Sequence, residues 1–195
     1  MNDTILWYTT RASGLVSLLL LSGVAMLGLL ARLRYERPGW PRFLTTALHR
    51  NLSLLAVVFL ALHVVTAAVD PFTRLGLTSI AVPFGSYYRT FWLGLGAISL
   101  ELLAALVATS LLRRVIGAGL WRFVHWAAYA AWPMAVLHSL GTGTDAFSLL
   151  GLGATGVSVA AVAAALMARL RGAPADPLAQ WKRRATALQL GRQPR

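Results

Sequence analysis

Residues 48–64 read LHRNLSLLAVVFLALHV and residues 124–139 read VHWAAYAAWPMAVLHS. These two stretches hold all four histidines of the chain as matched pairs, with thirteen residues between His49 and His63 and twelve between His125 and His138. Each pair lies in an apolar run long enough to cross a bilayer. At a rise of about 1.5 Å per residue, the members of a pair stand roughly 20 Å apart, one near each face of a hydrocarbon core of roughly 30 Å. Two such helices side by side offer two imidazoles at each membrane surface. Depth pairs His49 with His125 on the inner side and His63 with His138 on the outer side.

The rest of the chain supports a membrane setting. Of its 195 residues 57% are hydrophobic and 12% charged, with a mean hydropathy of +0.65, a composition that belongs to membrane proteins. Windows of about twenty residues give five spans, at residues 13–31, 44–69, 91–112, 121–140 and 147–170. The expected fold is therefore an all-α integral membrane bundle of about five transmembrane helices over residues 1–172, with a short basic cytoplasmic tail at 173–195. The start of the chain lacks a basic n-region and no small-residue cleavage site follows, so the first span reads as a retained helix rather than a signal peptide.

Charge sets the orientation. The segments flanking alternate ends of the spans carry five, three and seven Lys or Arg, against one, two and none on the other side, which places the N-terminus outside and the C-terminus in the cytoplasm. The net charge of +12 is thus explained by topology, with a lipid bilayer and not nucleic acid as the partner. The Ala-, Leu- and Arg-rich usage suits a bacterial plasma membrane. Cysteine is absent, which excludes disulfides, zinc-thiolate sites, iron–sulfur clusters and covalent haem attachment.

Helical phase favours one pair over the other. Fourteen steps of about 100° return His63 to within roughly 40° of His49, whereas thirteen leave His138 roughly 140° from His125 in a regular helix. Pro133 lies between the latter two, and a distortion around Trp132–Pro133 is expected to bring them closer to one face.

Imidazole is a good axial ligand for ferric and ferrous haem iron, and two imidazoles leave no coordination position open for oxygen. A zinc or nickel site wants three or four ligands about one ion. Two layers of two histidines suit two non-covalent haem b groups in series, each with bis-His ligation: His49 and His125 on the inner iron, His63 and His138 on the outer. Because tunnelling falls steeply with distance, one macrocycle cannot bridge the hydrocarbon layer, and two in series can. Arg11, Arg50 and Arg122 are candidates to pair with haem propionates; lipid-headgroup contact explains each of them equally well. Glu101, the one acid well inside a span, suits either a proton path or a protonated hydrogen bond between helices. Gly141–Asp145 reads as a tight outer turn rather than a phosphate cradle. A histidine-dependent ion or proton transporter without haem, and a structural membrane anchor, are the competing classes.

At His49 and His63 in Leu-His-Arg-Asn…Leu-His-Val, and at His125 and His138 in Val-His-Trp…Leu-His-Ser, the chain resembles the ferric reductase transmembrane domain family, which takes in NADPH oxidases, ferric reductases and bacterial haem membrane subunits. The resemblance covers roughly residues 5–170. It implies a membrane oxidoreductase or oxidoreductase subunit, moving electrons from a cytoplasmic flavin reductase or membrane quinol to an extracytoplasmic acceptor. Many members have six spans where five are counted here, and the dehydrogenase domain fused to the oxidases is not in this sequence. The donor is therefore expected on another molecule.

Overall fold

The computed structural model describes residues 2–33, 40–71 and 75–171. Seven helices form in this part: α1 (Asn2–Arg32), α2 (Arg42–Val69), α3 (Leu77–Ala81), α4 (Thr90–Leu111), α5 (Arg113–His125), α6 (Ala128–Thr142) and α7 (Leu149–Arg171), with no strand among the described residues. Of these, α1, α2, α4 and α7 are each long and apolar enough to cross a membrane. The chain is a multi-pass helical membrane protein. The expected cytoplasmic tail at 173–195, with Arg34, Arg37 and Arg74, lies outside the described residues.

Helix ends follow local chemistry. Pro71 disfavours the α region for the residue before it, and Asp70 is extended (φ −70°, ψ 115°), which stops α2. Within α5, Gly117 takes φ 78° and ψ 162°, a conformation open to glycine, and turns the chain toward the fourth span.

The stretch expected as the fourth span, residues 121–140, is not among those four long apolar helices and is built from two shorter helices. It lies in a helical stretch over residues 118–142 that passes through Trp126 and Ala127, both with αR angles, from α5 into α6. Here the backbone tightens: Ala127 N–H bonds the Val124 carbonyl at 2.9 Å, Tyr129 that of Trp126 at 3.0 Å, and Ala130 that of Ala127 at 3.0 Å, while Trp126 is shared between Arg122 and Phe123. These are three-residue steps, which turn about 120° per residue instead of about 100°. Four such steps add about 80° and cut the offset between His125 and His138 from about 140° to about 60°. The distortion sits about a turn earlier than Trp132–Pro133. The reason is that a proline leaves unpaired, and crowds, the carbonyl four residues before it, here that of Tyr129.

Packing arranges the long helices as two antiparallel pairs around α1. α2 lies along α1 and α6 lies along α4, while α1 also touches α6 and α7; α2 and α6 scarcely meet. The Trp132 indole donates to Ser22 Oγ at 2.9 Å and joins α6 to α1. Ser99 Oγ donates to the Ala131 carbonyl at 2.9 Å and joins α4 to α6. On α7 the buried positions are Gly151, Thr155, Ser158, Val162 and Ala165, a narrow stripe of mostly small residues at helical spacing. Small side chains let helix backbones approach, and Val162 and Ala165 close on Leu29 of α1. Large apolar residues such as Leu54, Val58, Val65 and Val69 of α2 point outward, as a lipid-facing surface requires.

Candidate functional site

The slot between α2 and α6 is where the histidines meet. His63 of α2 and His138 of α6, the couple expected on the outer side, face each other, ring centres 6.3 Å apart and planes at 76°. His63 Nδ1 lies 2.9 Å from the carbonyl of Thr10, and His138 Nδ1 lies 2.9 Å from the carbonyl of Trp92. A carbonyl only accepts, so each Nδ1 carries the proton and donates it. Nε2 of each neutral ring is then left with its lone pair.

On the inner side, His49 repeats the arrangement, its Nδ1 donating to the carbonyl of Val24 at 3.0 Å. His125 does not. Its ring stacks on Trp121, centres 4.9 Å apart and planes at 28°, and its Nδ1 is buried without a hydrogen-bond partner among the described residues. The Arg113 guanidinium lies 4.3 Å from the centre of the Trp121 ring that stacks on His125, and that of Arg32 lies 5.5 Å from the centre of the neighbouring Trp126 ring. Of the two expected couples, His63 and His138 are brought ring to ring.

A cleft of about 680 Å³, counted with its open mouth, lies beside the outer pair. Leu60 and Val64 of α2, and Leu93, Leu100 and Leu103 of α4, make its walls apolar, and His63 and His138 are among its few polar groups. A largely apolar cavity with a small number of convergent polar atoms is the usual form of a cofactor site. Among the described residues no three His, Asp or Glu side chains converge as a metal cluster.

The other candidates fall in varied places. Arg11 forms an ion pair with Asp145 of the α6–α7 turn, and its guanidinium lies 5.6 Å from the centre of the Trp7 ring. Arg50 and Arg122 are exposed, as are Arg32 and Arg113. Glu101 is exposed on α4, and Arg89 donates to the Gly141 carbonyl. The sequence reading also missed three glycines. Gly14, Gly28 and Gly96 lie against His63, His49 and His138, and the signal was available: Gly14 and Gly28 repeat in α1 the fourteen-residue step of His49 and His63 in α2.

Comparison with protein families finds the ferric reductase like transmembrane component over residues 12–136, a match that takes in His49, His63 and His125 and stops just before His138. Neither the curated proteins nor the solved structures give a match. With the family pattern matched from α1 into α6, over more than half of its length, the chain belongs to the ferric reductase-like transmembrane family.

Proposed function

We propose that this chain is a di-haem electron-transfer protein of the membrane, with His49 and His125 holding an inner haem b and His63 and His138 an outer one. It carries electrons from a cytoplasmic flavin reductase or a membrane quinol to an acceptor beyond the outer surface. The family supports a membrane oxidoreductase role. The observation that carries the finer reading is the outer histidine couple. Two metal–nitrogen bonds of about 2 Å, with about 1 Å from each nitrogen to its ring centre, sum to about 6 Å; the rings stand 6.3 Å apart.

The chain's own residues do the holding. Nδ1–H bonds to backbone carbonyls fix ring tautomer and orientation and raise the basicity of the remaining nitrogen, as is general for histidines that bind metal. The leucine walls of the outer cleft exclude water and accept an apolar macrocycle. When bound, iron with two imidazole ligands supplies one-electron chemistry without an open position for oxygen. At the inner level Arg32 and Arg113, over the Trp126 and Trp121 rings next to His125, join Arg50 and Arg122 as positive groups suited to anionic propionates.

A visible spectrum of the purified protein, before and after dithionite, tests this directly. Low-spin b-type bands that sharpen on reduction are expected. A colourless protein with metal- or pH-dependent flux overturns the reading in favour of a transporter.

A further inference from the structure

Three imidazoles in this molecule are seated in the same way on three different stretches of helix. His63 bonds the carbonyl of Thr10 and packs against Gly14, where an added Cβ would meet its Cε1 at 2.9 Å and Nδ1 at 3.0 Å. His49 bonds the carbonyl of Val24 and packs against Gly28, where a Cβ would meet Cε1 at 3.3 Å. His138 bonds the carbonyl of Trp92 and packs against Gly96, where a Cβ would meet Nδ1 at 2.4 Å and Cε1 at 2.6 Å. In every case the glycine stands four residues after the carbonyl that accepts the proton.

The spacing has a physical cause. A helical side chain leans toward the N-terminus and covers the turn before its own Cα, so a Cβ at position i+4 shields the carbonyl at i. That carbonyl already accepts the N–H of residue i+4 and has a second lone pair, which at Thr10 the Ser13 hydroxyl also approaches, at 3.2 Å. Glycine uncovers it. We infer that Gly14, Gly28 and Gly96 are positioning residues: by lacking a Cβ, each admits an imidazole from the neighbouring helix to a second bond on a helix carbonyl and so leaves Nε2 as the ligating nitrogen. His125 has no such seat. Fourteen residues beyond Gly96 stands Ser110, which carries a Cβ, and its hydroxyl accepts the indole N–H of Trp121, the ring stacked on His125.

This inference rests on the haem reading above and is tested on the full-chain holoprotein by the low-spin ferric EPR signals and the midpoint potential of each haem. The signal lost in His63→Ala identifies the outer one. Gly14→Ala and Gly96→Ala are expected to move the outer signal and raise its midpoint potential, because an imidazole without its Nδ1–H bond is a weaker donor to ferric iron. Gly28→Ala is expected to do the same, less strongly, to the inner one, as its wider 3.3 Å approach implies. Gly23→Ala, on the same helix pair but against Leu52 Cδ2 at 2.8 Å, disturbs packing without touching a ring and is expected to move neither signal. If Gly96→Ala does not fold, the milder Gly28→Ala still decides. Two wild-type signals unmoved by the three variants, or moved equally by Gly23→Ala, overturn the inference alone. A wild-type protein with no haem signal overturns the haem reading and this one with it.

Discussion

His138 illustrates how much one residue can carry. Its ring meets His63, its Nδ1 donates to the Trp92 carbonyl, and its own carbonyl accepts the hydroxyl of Thr142. Its meeting with His63 was legible in the spacing of the four histidines, because a regular helix converts residue count into height along its axis. What faces it was not, since contacts between helices depend on which faces pack. The arginines make the same point. Removing positive charge beside an iron disfavours its reduced state, so Arg113→Gln, whose guanidinium lies 4.3 Å from the centre of the Trp121 ring stacked on His125, is expected to lower the midpoint potential of the proposed inner haem more than Arg50→Gln does. A redox titration of both variants checks this. Ser22→Ala removes the acceptor of the Trp132 indole and is expected to lower stability by about 1 kcal/mol, read from thermal unfolding in detergent.

At the scale of the element, the fourth span is the informative one. Pro133 marked it as irregular, and irregularity was required for His125 and His138 to share a slot. The sequence did not locate the change, because a proline acts on the turn before it and the three-residue bonds spread over residues 123–130. Pro133→Ala restores the missing helix hydrogen bond, and alanine is favoured over proline in a helix interior by about 3 kcal/mol. The rod is then expected to relax toward regular winding and turn His138 away from His125. The outcome should be an equal or higher melting temperature with haem lost from one layer. A variant that keeps full haem would separate the distortion from ligand placement. Of the five spans counted from hydropathy, four correspond to α1, α2, α4 and α7, and the fifth falls on the shorter α5 and α6, neither of which is long and apolar enough by itself to cross a membrane.

For the whole molecule, two antiparallel helix pairs, α1 with α2 and α4 with α6, hold a slot between them that neither could form alone. Orientation across the membrane rests on the arginine bias, and the absence of cysteine makes it simple to test. Tyr87→Cys, at a fully exposed outer-loop position, is expected to react with an impermeant maleimide on intact cells. Val115→Cys, exposed on α5, should react only after permeabilisation. The opposite pattern would invert the direction of electron flow. The central claim, two levels of bis-histidine ligation, is tested most directly by haem and iron per chain in the wild type and the four single His→Ala variants. Two haems are expected in the wild type; His63→Ala and His138→Ala should each lose the outer one, and His49→Ala and His125→Ala the inner one. Full haem content in all four variants would contradict the account.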